Sequence, residues 1–118
     1  MKNIDVVTNI AVYDYNELTE IQKKLVEQAK EACLRAYAPY SQFNVGAAAL
    51  LDNGEIVAGS NQENAAYPSG ICAERTTLFY TGAQYPDNAV VKLAIAAYKD
   101  GHYTTTPTAP CGACRQVI

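Results

Sequence analysis

The stretch FNVGAAALLDNGEIVAGS at residues 43–60 contains two apolar runs on either side of the triplet Asp52-Asn53-Gly54. An Asn-Gly pair between two apolar runs is a strong sequence signal for a β-hairpin. Small residues dominate the first run, so a helix could pack closely against that strand. We therefore expect a hairpin of two adjacent strands at the centre of the fold.

A helix is predicted before this hairpin, because apolar residues recur at steps of three and four from about Glu17 to Tyr37. Pro39 is expected to end that helix, since proline lacks an N–H and clashes with the preceding turn. Further upstream, residues 4–13 are rich in valine and isoleucine and could form an extra edge strand.

After the hairpin, residues 72–82 predict a second helix with Leu78 and Phe79 on its buried face. Residues 89–98 predict a third strand, and the polar, threonine-rich segment that follows indicates a loop. Pro110 is expected to open a final helix. The order α, β, β, α, β, α predicts an α/β domain built from packed layers.

The bulk composition narrows the class of protein. The chain of 118 residues is long enough for one compact domain, expected at 16–118 after an N-terminal extension at 1–15. The formal net charge of −3 and the lack of a basic stripe argue against a nucleic-acid partner. No stretch approaches the roughly 20 apolar residues of a membrane helix, and Met1 is not followed by the apolar segment of a secretory signal. We expect a cytoplasmic protein with no membrane partner, whose four cysteines are ligands or core thiols rather than disulfides.

Two cysteine motifs carry chemistry, Cys72-Ala73-Glu74 and Pro110-Cys111-Gly112-Ala113-Cys114. Both lie at predicted helix starts, where the positive end of the helix dipole favours the thiolate form that binds metal. The two-residue gap in the second motif places both of its sulfurs on one side of a first helical turn, so Cys72 must approach from another helix start. Catalytic zinc sites have three protein ligands and leave one position for water, whereas structural sites have four. Three thiols and one spare carboxylate therefore predict metal-assisted hydrolysis, with Glu74 moving the proton.

Arg75 directly follows the first of these motifs. A zinc ion bound by three thiolates carries a net negative charge, which makes it a poor centre for acidifying water. We predict that Arg75 bonds to one or more of the ligand sulfurs and offsets that charge.

Less specific interpretations apply to several of these residues. A Cys-x-x-Cys motif alone is common in structural zinc sites and in redox proteins. Cys33 lies on the apolar face of the first predicted helix and is interpreted as a core thiol. If Cys33 closed the metal site, the zinc would be structural. His102 is the only histidine and is interpreted as a solvated loop residue.

Four motifs in order resemble the zinc nucleoside deaminases, and most closely the cytidine deaminase family. The resemblance runs from about Tyr37 to the end of the chain. A cysteine rather than a histidine at position 72 is similar to the small form of the family with cysteine ligands only, which is typically a homotetramer. The four motifs are YAPYSQFNVGAA at 37–48, NQENAAY at 61–67, ICAER at 71–75 and PCGACRQ at 110–116.

The resemblance implies a three-layer α-β-α fold with a mixed central sheet. It also implies one Zn²⁺ per chain, held by Cys72, Cys111 and Cys114, with Glu74 as the catalytic proton shuttle. The implied reaction is hydrolytic deamination of cytidine and deoxycytidine to uridine and deoxyuridine, with release of ammonia, in pyrimidine salvage. The implied substrate contacts are Asn61 and Glu63 at the ribose 3′-hydroxyl, Phe43 against the base, Ala73 as a further contact, and Ala65 and Tyr67 toward a neighbouring subunit's site.

Family members normally continue beyond the position of Ile118 with two further strands, so we expect those strands to be missing here. Two alternatives to cytidine deamination stay open. One is a deaminase of a nucleoside-like antibiotic such as blasticidin S, although the pair Asn61 and Glu63 favours cytidine. The other is a non-catalytic, zinc-stabilised interaction domain. A thiol-disulfide oxidoreductase is a weaker option, because no thioredoxin-like βαβ context surrounds Cys111.

Overall fold

The computed structural model describes all 118 residues. A four-stranded sheet lies at its centre. The strands are β1 (Asn44–Leu51), β2 (Ile56–Ser60), β3 (Val90–Lys99) and β4 (His102–Tyr103), and they lie side by side in the order β2-β1-β3-β4. The helices are α1 (Glu20–Cys33), α2 (Ala73–Gln84) and α3 (Gly112–Val117). No helix has both the length and the apolar character that a membrane crossing requires.

The hairpin predicted from residues 43–60 is confirmed as β1 and β2, which pair in antiparallel fashion. At its tip the N–H of Leu51 donates to the carbonyl of Glu55 at 2.9 Å, so residues 52–54 form a three-residue loop. Gly54 occupies the left-handed region at φ +86°. Three-residue hairpin loops require such a residue, and glycine adopts this conformation without steric cost.

The two faces of β1 are covered by different helices, which gives the predicted three layers. Ala48 and Leu50 pack with α1 on one face. Val45 and Ala47 face the other way and pack with Ala73 of α2. Because successive strand residues point to opposite faces, a strand buried on both sides is continuously apolar, as β1 is.

Two glycines allow the helices to approach the sheet closely. A Cβ at Gly46 would overlap the carbonyl oxygen of Ala29 in α1 and lie 2.6 Å from the backbone nitrogen of Cys33. On the opposite face, a Cβ at Gly59 would lie 2.6 Å from the Thr77 hydroxyl in α2. The packing expected from small residues on these strands is therefore observed on both faces.

Gly46→Ala is expected to destabilise the fold by about 3 kcal/mol, because the new methyl group meets backbone atoms that cannot move without shifting α1. Gly82→Ala is the matched control, since a Cβ there contacts nothing within 4 Å. An alanine in the helix interior at that position should stabilise by about 0.5–1 kcal/mol. Urea unfolding of both variants measures the difference. Equal stability of the two variants would contradict the close approach of α1.

The first helix is shorter than predicted. It begins after Thr19, whose hydroxyl accepts a hydrogen bond from the N–H of Gln22, and it ends at Cys33 rather than near Pro39. Tertiary pairing explains the early end. The N–H of Tyr37 donates to the carbonyl of Asn61 at 3.0 Å, which draws this part of the chain away from the helix.

The buried face of α2 was predicted incorrectly. Leu78 is only half-buried and Phe79 is exposed, whereas Ala73, Thr77 and Thr81 face the sheet. These three residues are spaced by four and share one side of the helix. The threonine hydroxyls remain satisfied there, because those of Thr77 and Thr81 donate to the carbonyls four residues earlier at 2.9 and 2.7 Å.

Other sequence predictions differ from the structure at the sheet. The sheet is antiparallel throughout rather than mixed, since each of its three strand pairings is antiparallel. The extra edge strand at residues 4–13 is absent, because residues 1–14 form no helix or strand and their side chains are exposed. The short strand β4 was not predicted; it pairs with the end of β3 within the segment expected to be a loop. The division of the chain at residue 15 stays a prediction.

Candidate active site

The ends of two helices bring three cysteines together. Cys72 is the N-cap of α2 and Cys111 is the N-cap of α3. With Cys114 in the first turn of α3, all three sulfurs lie within 4.8 Å of one another. The sulfurs of Cys72 and Cys111 are 3.6 Å apart, far longer than the roughly 2.05 Å of a disulfide bond. The sequence prediction that two helix starts supply the three sulfurs is borne out in the geometry.

This cluster fits a zinc ion. Two sulfurs bound to one tetrahedral zinc at about 2.3 Å would be separated by about 3.8 Å, close to the observed 3.6 Å. Thiolates are also the softest protein ligands and favour zinc over magnesium or calcium. No fourth histidine, cysteine or carboxylate joins the group. The donor set is therefore the three-ligand type.

The pKa values of Cys111 and Cys114 are shifted in opposite directions. The N–H of Cys114 points at the Cys111 sulfur at 3.5 Å and is the main cause that lowers the pKa of Cys111 to about 7. Burial, with a further contribution from Glu74, raises the pKa of Cys114 to about 12. The expected effect of the helix start is thus seen at Cys111, while burial overrides it at Cys114. Cys114 would have to lose its proton in order to hold a metal ion, since the thiolate is the ligand form.

Arg75 contacts the cluster as predicted. One terminal nitrogen of its guanidinium group, Nη2, lies 3.6 Å from the Cys72 sulfur. Hydrogen bonds with Cys72 and Cys114 raise the pKa of Arg75. Its Nε is buried and has no hydrogen-bond partner. A buried, unpaired cationic donor beside three sulfurs suits a site in which those sulfurs are thiolates.

Glu74 is a buried carboxylate with 5 % of its surface exposed. It is the second residue of α2 and lies beside the Cys114 thiol. No ion pair holds it. Buried carboxylates without a cationic partner are rare outside functional sites.

The remaining cysteine and the histidine take no part in the cluster. Cys33 is fully buried at the end of α1, and its thiol donates to the carbonyl of Ala96 at 3.2 Å. It is a core thiol, as the sequence indicated. His102 is exposed in β4, and its ring Nδ1 forms a hydrogen bond with the Asp100 carbonyl at 3.2 Å.

A cleft of about 580 Å³ opens beside the three sulfurs. Its lining includes Cys72, Cys111 and Arg75, together with Asn61 and Glu63 from the segment after β2. Glu74 and Cys114 are buried and do not contribute to the lining. The cleft has the size of a pocket for a small organic molecule.

Asn61 and Glu63 reach the cleft but also hold the backbone beside it. The Asn61 oxygen accepts from the N–H of Val45 at 2.8 Å, and its amide nitrogen donates to the carbonyl of Phe43 at 2.9 Å. One oxygen of Glu63 accepts from the backbone N–H groups of Tyr40 and Ser41 at 3.0 and 3.1 Å. Both side chains thus fix the chain that leads into β1.

The other predicted contact residues are distributed around this cleft. Tyr67 is 90 % exposed and lines it. Phe43 is half-buried against the cluster that contains Ala73, and neither of these two residues is part of the lining. Ala65 is exposed and lies outside the lining.

Seven further residues line the cleft without a role assigned to them from the sequence. Ser41 lies within a family motif, but the hydrogen bonds that it forms are visible only in the structure. Gln62 and Ile71 exchange backbone hydrogen bonds at 2.9 Å in both directions. This bridge has no sequence signal, because it depends on backbone atoms alone. The seven residues are Tyr40, Ser41, Gln62, Asn64, Pro68, Gly70 and Ile71.

A layered α/β domain with three convergent thiols at two helix starts and an adjacent buried carboxylate defines a zinc-binding domain of the hydrolytic deaminase type. A family model described as the cytidine and deoxycytidylate deaminase zinc-binding region matches residues 19–118. The chain belongs to this family.

Individual relatives agree with the family. The chain is 44 % identical over 97 residues to a cytidine deaminase of Halalkalibacterium halodurans, covering 82 % of this chain and 69 % of the relative. It is 45 % identical over 96 residues to a cytidine deaminase of Sporosarcina psychrophila, covering 81 % and 66 %. The chain therefore spans about two thirds of the length of these curated relatives.

The fold is also similar to solved structures. A crystal structure of cytidine deaminase from Burkholderia pseudomallei matches with a TM-score of 0.69 and 45 % identity, over 85 % of this chain and 74 % of that one. A crystal structure of cytidine deaminase from Mycobacterium tuberculosis matches with a TM-score of 0.65 and 39 % identity, over 81 % and 73 %. These likenesses confirm the cytidine deaminase-like fold.

Proposed function

We propose that this chain catalyses the hydrolytic deamination of cytidine and deoxycytidine, which yields uridine and deoxyuridine and releases ammonia. The observation that carries the proposal is the convergence of three cysteine sulfurs within 4.8 Å next to the buried carboxylate of Glu74. Membership of a deaminase family and the names of the relatives support the choice of reaction.

The roles of the residues follow from their positions. Cys72, Cys111 and Cys114 would hold one zinc ion per chain, and that ion would supply the Lewis acidity that makes water nucleophilic near neutral pH. Glu74 is next to the cluster and free of any ion pair, so its carboxylate can accept a proton from the attacking water. The same carboxylate then donates that proton to the ring nitrogen beside the reacting carbon. It next carries the second water proton from the new hydroxyl group to the amino group, so that the carbon–nitrogen bond breaks, ammonia leaves and the carbonyl of the product forms.

The cleft is proposed to bind the sugar and the base of the nucleoside. Asn61 and Glu63 are proposed to bind the ribose 3′-hydroxyl, since both line the cleft near the sulfurs. Phe43 is proposed to pack against the base, with Ala73 as a further contact beside it. Because these sugar contacts address the 3′ rather than the 2′ position, deoxycytidine should be accepted as well as cytidine.

Assembly and cellular role are further parts of the proposal. Tyr67 is 90 % exposed in an isolated chain, which suits contact with a neighbouring subunit, and Ala65 is exposed beside it. A homotetramer in which these residues reach a neighbour's site is proposed from the family resemblance. Pyrimidine salvage in the cytoplasm is proposed as the setting, because free nucleosides are the substrates.

The experiment is an ultraviolet assay of cytidine and deoxycytidine conversion, combined with ammonia release and metal analysis. We expect about one zinc per chain and conversion of both nucleosides. Blasticidin S is the comparison substrate, and its preferential turnover would replace the cytidine proposal with the antibiotic alternative. Zinc-loaded protein that converts none of the three would support the non-catalytic alternative. Active enzyme that rejects deoxycytidine would refute the proposed sugar contacts.

Arg75→Gln is expected to keep zinc bound while lowering kcat for cytidine by about 10- to 100-fold, as is common for residues that support metal ligands. The reason is that a neutral side chain no longer offsets the charge of the thiolates. Arg35→Gln is the matched control, since Arg35 is exposed just after the end of α1 and its ion pair is with Glu31 of that helix. Steady-state kinetics with parallel metal analysis measure the effect. An unchanged kcat in zinc-loaded Arg75→Gln protein would show that Arg75 has no electrostatic role.

A further inference from the structure

A tight turn at residues 38–42 leads the chain into β1. The N–H of Gln42 donates to the carbonyl of Ala38 at 2.9 Å. Gln42 itself has φ +54°, a left-handed conformation that is uncommon for residues other than glycine. Such a turn needs support from neighbouring groups. Its geometry decides where the next residue, Phe43, is placed.

Glu63 supplies part of that support. Its oxygen accepts from the N–H groups of Tyr40 and Ser41 at 3.0 and 3.1 Å, inside the turn. The backbone of Glu63 is held in place as well, because its N–H donates to the carbonyl of Tyr37 at 2.8 Å. The pKa of Glu63 is lowered, mainly by the Ser41 hydroxyl and further by these two N–H groups.

The Ser41 side chain also contacts Phe43, the residue that follows the turn. Its hydroxyl oxygen accepts from the N–H of Phe43 at 3.1 Å. Ser41, which lines the cleft, therefore contacts both neighbours: its backbone N–H donates to the carboxylate of Glu63 at 3.1 Å, and its hydroxyl accepts from the N–H of Phe43 at 3.1 Å.

We propose that Ser41 is a positioning residue that holds the sugar-binding carboxylate of Glu63 and the base-packing ring of Phe43 in a fixed mutual arrangement. The proposal rests on the roles proposed above for those two residues. In this role, Ser41 couples recognition of the 3′-hydroxyl by Glu63 to placement of the base by Phe43. Removal of the hydroxyl should weaken binding of a nucleoside more than it slows the chemical step, because the hydrogen bonds of Ser41 go to Glu63 and Phe43 and not to the sulfurs or to Glu74.

The test compares Ser41→Ala with Ser41→Thr, which keeps the hydroxyl, and with Ser69→Ala as the matched control. Ser69 is an exposed serine near the cleft, but it is not part of the lining. For Ser41→Ala we expect KM for cytidine to rise about tenfold, the size of one hydrogen-bond contribution, with kcat changed less than about threefold. Ser41→Thr should restore most of the affinity, and Ser69→Ala should behave as the wild type.

A second substrate, 3′-deoxycytidine, tests the link itself. The rise in KM caused by Ser41→Ala should be clearly smaller for this substrate, since it cannot use Glu63. An equal rise for both substrates would mean that Ser41 acts on Phe43 alone and would overturn the link. An unchanged KM for cytidine, or a loss confined to kcat, would overturn the proposal altogether.

A measurement without substrate separates this inference from the proposed function. Amide hydrogen exchange at Phe43 should accelerate in Ser41→Ala and not in Ser41→Thr, because the Phe43 N–H loses its acceptor. Unchanged exchange would overturn the positioning role even if the enzyme is active. A wild-type protein that converts no cytidine would instead overturn the proposed function, and with it the role of Ser41 in substrate binding.

Discussion

Glu74→Gln is expected to lower kcat for cytidine by about 10³-fold, equivalent to about 4 kcal/mol, while the zinc content stays unchanged. The amide is nearly the same size as the carboxylate but cannot accept a proton. Glu74 is 5 % exposed and forms no ion pair, so the substitution breaks no salt bridge of the fold. Loss of turnover would therefore report on proton transfer rather than on unfolding.

The measurement combines the ultraviolet assay with zinc analysis and thermal unfolding of the same sample. Glu55→Gln is the matched control, because Glu55 is exposed between the hairpin loop and β2 and belongs neither to the sulfur cluster nor to the lining of the cleft. The control should retain full activity. Zinc-loaded Glu74→Gln protein with a normal kcat would exclude Glu74 as the proton carrier, and the hydrolytic mechanism would need a different base.

Cys111→Ala is expected to reduce zinc affinity by more than about 100-fold, the upper range found for residues that only support a metal ligand. Its sulfur lies 3.6 Å from that of Cys72 and belongs to the cluster of three. Cys111 is exposed, so its truncation leaves no cavity in the core. Deaminase activity should disappear together with the metal.

Cys33→Ala is the control for this result, because it also removes one thiol but outside the cluster. Zinc titration against a competing chelator should give an unchanged affinity for that variant. It should be moderately less stable, since Cys33 is fully buried. If Cys33→Ala lost zinc while Cys111→Ala kept it, the assignment of the metal ligands would be wrong.

The fold could be predicted where local signals were strong. The Asn53-Gly54 turn and its flanking apolar runs gave the hairpin, because a left-handed residue and two buried strands leave a local pattern. The end of α1 could not be predicted, since the bond from Tyr37 to Asn61 joins residues far apart in the chain. The buried face of α2 was predicted incorrectly for a related reason. The helix turns threonines toward the sheet because Gly59 leaves room for Thr77, a pairing that only the tertiary structure shows.

The candidate site was more accessible from the sequence than the cleft around it. Three cysteines and Glu74 lie at two helix starts, and their spacing in the sequence predicted a zinc site with an adjacent proton carrier. The high pKa of Cys114 could not be foreseen, because it depends on burial beside Glu74. Likewise, Glu63 is engaged by backbone groups of the turn before β1, and Asn61 is engaged by the backbone at the start of β1. A residue type can indicate a ligand contact, but it does not reveal which of its polar atoms are already engaged.

The two helix starts that supply the sulfurs belong to helices of very different length. α2 has 12 residues and packs on the sheet, whereas α3 has only 6 and contacts α2. A six-residue helix is far too short to persist by itself in water. The zinc ion would therefore also act as a cross-link that holds α3 to α2. Loss of the metal would then loosen α3 and abolish the deaminase activity together.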